Sequence, residues 1–323
     1  MSDLDARYGT VLDFRPGQPL ERVLGTCQGR EAGPLLVVTA GLHGNEPAGL
    51  IACRRVLRDL ATAQTKLRGR FIALSGNRAA LAKNVRSLDR DLNRMWSKEE
   101  LATARSAPRG ALAPEPAELV DLADVLQHEL ARAQGPVTLL DLHSTSGAGP
   151  PFTILAHPDK SRALARALDV PVLLGLERIL GGTLLEWMTS LGHHAVVLEG
   201  GQNEAPTTID HHESAIWVFL AAAGMIDAAS GERLAAHKTR LHASAGELPR
   251  LLEICYRHEL RPGERFQMVP GWSNFSPVVA GELLAHAGDN LELEVRAPQS
   301  ATMIMPRYQG QGLDGFFLAK QVG

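Results

Sequence analysis

Apolar and polar residues fall into a repeating order along the first two thirds of the chain. Leu35 to Ala40 is a short apolar run. It is followed by glycine-rich punctuation and then by a stretch from Glu46 to about Thr62 that sets Leu50, Cys53 and Leu57 on one helical face. The spacing predicts strand, loop, helix. The unit recurs, with strands expected at Arg70 to Ser75, Val137 to Leu142, Phe152 to Leu155, Val170 to Leu174 and Ala195 to Leu198. Helices are expected at Pro116 to Gln134, Ser161 to Leu168, Leu184 to Leu191 and Ile209 to Ala223. Strands alternating with helices predict an α/β fold, with a mostly parallel or mixed sheet flanked by helices.

Both ends of the chain depart from this rhythm. The first thirty residues predict a hairpin-like pair of strands, Thr10 to Phe14 and Arg22 to Gln28, around the turn-rich Arg15-Pro16-Gly17-Gln18-Pro19. After about residue 230 the pattern becomes Gly/Pro-punctuated strands without a convincing helix: Leu251 to Tyr256, Phe266 to Val269, Leu291 to Val295, Thr302 to Met305 and Phe316 to Ala319. A boundary is therefore placed in the polar, Ala-rich stretch between about Ser230 and Gly246. It divides a catalytic unit, residues 1–236, from a small all-β unit, residues 237–323.

Composition narrows the function classes. Hydrophobic residues are 45% and charged residues 21% of 323, as in ordinary globular proteins. No apolar run reaches bilayer length, and the N-terminus lacks a basic-then-apolar leader pattern, so a cytoplasmic protein without a membrane role is expected. A formal net charge of −3 without basic blocks speaks against nucleic-acid binding. Cys27, Cys53 and Cys255 are scattered and predict reduced thiols, not a disulfide framework. Oligomeric state is left open, a homo-oligomer included.

Chemistry concentrates where apolar runs end. His43 and Glu46 stand three apart at a strand-to-helix junction, between Gly41, Gly44 and Pro47. Imidazole and carboxylate are both good zinc ligands, and ligand sites in open α/β sheets lie at the carboxyl edge. His143 ends a second apolar strand in Asp141-Leu142-His143-Ser144-Thr145, with Asp141 two residues earlier and so on the same side. Glu199 ends a third, in Val197-Leu198-Glu199-Gly200-Gly201-Gln202, where a carboxylate can be aimed into a cleft as a general base. Between them, residues 77–94 are polar and rich in arginine, which suits binding of a carboxylate or stabilisation of an oxyanion. Arg78 and Arg90 are assigned to ordinary surface ion pairs, and the pairs His193-His194 and His211-His212 to surface or structural positions.

These motifs together resemble the aspartoacylase and succinylglutamate desuccinylase family of zinc carboxypeptidase-like hydrolases. G-x-H-G-N-E spans Gly41 to Glu46. N-x-x-A with R-x-x-D-x-D-L-N-R spans Asn77 to Arg94, D-L-H-S-T spans Asp141 to Thr145, and E-G-G-Q spans Glu199 to Gln202. The resemblance implies one zinc ion on His43, Glu46 and His143, Glu199 as general base, and Arg86 polarising the scissile carbonyl. It further implies that Asn93 and Arg94 bind the substrate carboxylate, and that Tyr308 reaches the substrate from the C-terminal β unit. Where aspartoacylases carry an arginine for the aspartate side chain, about ten residues before the base, this chain has Thr189, and it reads E-G-G-Q for their E-x-G-P-Q. The implied activity is hydrolysis of another N-acyl amino acid or related small amide. The rivals are a zinc carboxypeptidase acting on peptides and a non-catalytic binding protein on the same fold.

Overall fold

The computed structural model describes residues 20–62, 66–156, 158–227 and 231–322. The expected strand from Thr10 to Phe14 lies outside the described residues. Strands run in chain order as β1 (Val23–Gln28), β2 (Glu31–Ala40), β3 (Arg68–Ser75), β4 (Val137–Thr145), β5 (Phe152–Ile154), β6 (Val172–Leu174) and β7 (His194–Gln202). The remainder are β8 (Leu251–Glu259), β9 (Phe266–Met268), β10 (Pro277–Val278), β11 (Leu283–Ala287), β12 (Leu293–Arg296), β13 (Ala301–Ile304) and β14 (Asp314–Gln321).

Eleven of these strands form one mixed sheet in the order β1-β3-β2-β4-β7-β5-β6-β8-β14-β13-β10, and β12-β11-β9 form a separate antiparallel sheet. The central strands β3, β2, β4 and β7 are mutually parallel, whereas β5 runs antiparallel to β7. Buried on both faces, the central strands carry continuous rather than alternating apolar side chains. One core lies between the sheet and the Ala48–Thr62 and Pro206–Ala222 helices. A second lies on the other face, under Pro114–Arg132 and Leu184–Ser190.

The separate sheet has its own small core around Met268, Leu284, Val295 and Phe316. Yet β8, β13 and β14 extend the main sheet, so the C-terminal strands are partly continuous with the α/β layer. The stretch read as a polar boundary is a helix, Gly231–Ala245, which packs Leu234, His237, Leu241 and Ala245 inward. A further unexpected helix, Lys98–Ser106, is capped by the Ser97 hydroxyl, which accepts from the Glu100 N–H. Among the described residues, no helix is long and apolar enough to cross a membrane.

Candidate metal centre and cleft

Sheet order brings the three strand-end motifs together. β2, β4 and β7 are adjacent, with Ala40 beside Leu142 and His143 beside Glu199 in the ladder. Residues far apart in sequence therefore emerge at one carboxyl edge. Just after β2, Gly41 adopts φ +72, and a Cβ on Gly44 would lie 2.1 Å from the Ala80 carbonyl carbon. Only glycine lets the His43 loop lie that close to its neighbour.

His43, Glu46 and His143 are buried, and one ligating atom from each lies within 4.8 Å of the others. The two imidazoles meet edge to face with centroids 4.9 Å apart. His43 Nδ1 lies 2.9 Å from Glu46 Oε1, and His143 Nδ1 lies 3.0 Å from Glu46 Oε2. Each ring's Nε2 faces a different carboxylate: Asp91 Oδ1 at 3.0 Å for His43, and Asp141 Oδ2 at 3.0 Å for His143. Two imidazole nitrogens and a carboxylate suit zinc at bond lengths of about 2.1 Å, and an outer carboxylate on each imidazole fixes the ligating tautomer. The donor set therefore fits a divalent metal.

The outer partners are themselves held. The Thr39 hydroxyl donates to Asp141 Oδ1 at 2.6 Å, and the Arg86 guanidinium donates to Asp91 Oδ2 at 2.8 Å. Burial alone raises the Asp91 pKa, but His43 and then Arg86 outweigh it and hold the carboxyl well below its ordinary value. Glu46 behaves alike: burial opposes ionisation, and the two histidines overcome it. For His143, burial favours the neutral ring, whereas Asp141 and Glu46 raise the pKa well above the ordinary histidine value.

Glu199 has the opposite environment. It is buried, and its Oε2 has no hydrogen-bond partner among the described residues. Burial first, with Glu46 adding negative charge, raises its pKa to about 7 against the lowering effects of His143, His43 and Arg86.

Residues 86–94 fold as a loop across this edge, anchored by the buried Glu115, which accepts from the Leu88 and Asp89 N–H groups at 2.6 and 3.1 Å. Arg86, Asn93 and Arg94 all line the cleft with His43, Glu46, His143 and Glu199. The Leu184 N–H occupies Asn93 Oδ1 at 2.9 Å, leaving the amide N–H₂ as the donor end. Arg78 pairs with Glu118 and Asp121, and Arg90 with Glu100, all outside the cleft lining.

The C-terminal segment closes the other side. Asn45 donates to Gln309 Oε1 at 2.8 Å, and Gln311 accepts from the Arg86 N–H at 2.8 Å while donating to the Ser87 carbonyl. Tyr308 does not line the cleft; its hydroxyl donates to the Val269 and Trp272 carbonyls, and the preceding Arg307 lines the cleft instead. Thr189 is buried and donates to the Leu185 carbonyl, also away from the cleft lining. His211 and His212 are buried braces: His211 donates to the Gly200 carbonyl and His212 to that of His143. Asp91 stands inside the R-x-x-D-x-D-L-N-R motif but has no role in the sequence reading, and Glu115, Gln309 and Gln311 escape it altogether, since no local pattern marks a side chain whose partner lies on another segment.

A mixed α/β sheet thus sets at its carboxyl edge, beside an arginine-rich loop and a cleft, a buried His-Glu-His group that could hold a metal ion. The model of the succinylglutamate desuccinylase/aspartoacylase catalytic domain matches residues 32–220, more than half of the chain, and the chain belongs to that family. It is 33% identical over 126 residues to the succinylglutamate desuccinylase of Burkholderia thailandensis, covering 38% of this chain and 34% of that protein. With the Pseudomonas putida enzyme of the same name the identity is 34% over 86 residues, 26% of each chain. These matches thus span about a third or less of the length of the curated relatives. The fold resembles a Rhodobacter sphaeroides succinylglutamate desuccinylase/aspartoacylase structure, with TM-score 0.66, 17% identity, and coverage of 92% of this chain and 88% of that one. The ectoine utilization protein EutE (DoeB) of Ruegeria pomeroyi, in a product-bound structure, gives TM-score 0.64 at 19% identity, covering 92% of this chain and 87% of that one.

Proposed function

We propose that this chain is a zinc-dependent hydrolase that cleaves the amide bond of an N-acyl amino acid or related small amide. One observation carries the reading: the unpartnered, buried carboxylate oxygen of Glu199 lines the same cleft as the His43-Glu46-His143 group. A buried carboxylate without a partner is costly unless a ligand or reactant completes it.

Zinc on His43, Glu46 and His143, when bound, supplies Lewis-acid polarisation and makes a water easier to deprotonate. Glu199 takes the proton from the attacking water, and a carboxyl with pKa near neutrality is suited both to accept and to return it. Water oxygen joins the carbonyl carbon, the C–N bond breaks, and Glu199 delivers the proton to the leaving nitrogen. The products are a carboxylate and an amine. Arg86, fixed by Asp91, faces the cleft where negative charge grows on the carbonyl oxygen. Asn93 and Arg94 offer N–H donors to the substrate carboxylate.

Glu199→Gln tests this. In a screen of N-acylated amino acids, turnover is expected to fall by at least about 10²-fold with zinc content unchanged. Full activity in that variant would remove Glu199 from the chemistry.

A further inference from the structure

Two kinds of wall line the cleft, and they come from different segments. Arg86, Asn93 and Arg94 lie on the loop before the Lys98–Ser106 helix, and Arg307 lies on the C-terminal segment. The described lining residues between 144 and 199 are of another character: among them there is no lysine or arginine, and the acidic groups are Glu177 and Glu199. Here the lining includes Ile154, Leu176, Leu180, Leu185 and Val197, and β14 adds Phe317. Ile154 sits directly opposite Val197 in the β5–β7 ladder, two residues from the Phe152–Glu199 pair. The apolar wall therefore begins two residues along the strand from the general base.

Position relative to the carboxylate anchor decides what this wall contacts. The Leu184 N–H donates to Asn93 Oδ1, the Trp96 N–H donates to the Gly182 carbonyl, and a Cβ on Gly182 would lie 2.5 Å from the Arg94 carbonyl oxygen. The 176–185 segment is thus pressed against the Asn93-Arg94 turn. In an amino acid held there by its carboxylate, the side chain branches from the adjacent carbon and falls on this segment.

A second carboxylate on that side chain would meet aliphatic surface and the like charge of Glu177. Burying a charge without a partner is expensive. Of the cleft's cationic groups, Arg86 pairs with Asp91 at 2.8 Å and Arg94 with Asp314 at 3.7 Å, and Arg307, which donates to the Gly310 carbonyl at 2.8 Å, lies on the C-terminal segment and not on this one.

We propose that the cleft selects N-acyl amino acids with an apolar side chain, of leucine or phenylalanine type, seated on Leu176, Leu180 and Leu185. This rests on the amidohydrolase reading above and narrows its substrate class.

The test uses the full chain supplied with zinc and compares kcat/KM for N-acetyl-leucine, N-acetyl-phenylalanine, N-acetylaspartate and N-acetylglutamate. The apolar pair is expected to exceed the acidic pair by at least about tenfold. Leu180→Arg, checked for folding by circular dichroism, is expected to move that ratio toward the acidic pair by about tenfold or more. Equal or better hydrolysis of the acidic amides by the unaltered chain would overturn the proposal, as would an unchanged ratio in a folded Leu180→Arg. If no amide is cleaved, the hydrolase reading fails by itself. Calorimetric binding of the same four amides to Glu199→Gln then decides the pocket: tighter binding of the apolar pair supports it, and no preference or no binding overturns it.

Discussion

His212 donates its Nε2–H to the backbone carbonyl of His143 at 2.9 Å, and it does so where the register between β4 and β7 slips, between His143 and Thr145. The Pro206–Ala222 helix thereby holds the His143 backbone in place. The fit is close, since a Cβ on Gly200 would come within 2.3 Å of the His212 ring. His212→Ala removes the donor and leaves a buried carbonyl unpaired. Zinc affinity, measured by competition with a chromophoric chelator, is expected to fall about tenfold in a variant that still folds. Unchanged affinity would separate the brace from the metal group.

Asp91 carries two duties in one carboxylate, facing His43 Nε2 with one oxygen and accepting from Arg86 with the other. Loss of an outer carboxylate from a ligating histidine typically costs about 10–100-fold in metal affinity or activity. Asp91→Ala is expected to reach that range in zinc affinity. It should also lower kcat beyond what added zinc restores, because Arg86 loses its orientation. Asp141→Ala, which touches His143 and not Arg86, should be rescued by zinc far more completely. Equal rescue of the two variants would contradict the double role.

A pH dependence of stability follows from His237, away from the cleft. Its ring stacks on Trp217 at 6.0 Å with 11° between planes, and Nδ1 lies 3.0 Å from Ser214 Oγ. Burial first, then Arg240 and Arg233, lower its pKa from 6.5 to about 4 against the raising effect of Asp59, from the Ala48–Thr62 helix. Between these values the unfolded chain binds more protons than the folded one, so this group's contribution to stability is present above pH 6.5 and is lost as pH falls toward 4. Chemical denaturation at pH 7 and pH 5 is expected to show the unaltered chain losing about 1 kcal/mol more than His237→Gln. Equal losses would refute this.

The strand-end motifs were legible because β2, β4 and β7 hold apolar runs long enough to read as buried strands; those of β4 and β7 halt at His143 and Glu199, and β2 ends at Ala40, three residues before His43. That β4 lies between β2 and β7 was not legible, since ladder order is set by how the helices pack on the two faces. The Gly231–Ala245 helix did leave a signal: Leu234, His237, Leu241 and Ala245 recur at helical spacing. It was hidden because only two of those four side chains are large and aliphatic. The C-terminal contribution to the cleft had no signal at all, as Arg307, Gln309 and Gln311 sit in a stretch without periodicity, and Gln309 and Gln311 act through contacts with segments more than two hundred residues earlier.

In the proposed hydrolase, His43, Glu46 and His143 share one metal ion. The most direct measure of that sharing is the zinc content, by elemental analysis, of the purified chain and of His143→Ala after equal exposure to zinc. One zinc per chain in the first and a clear loss in the second is the predicted result. Equal occupancy in both, or none in the unaltered chain, would contradict the account.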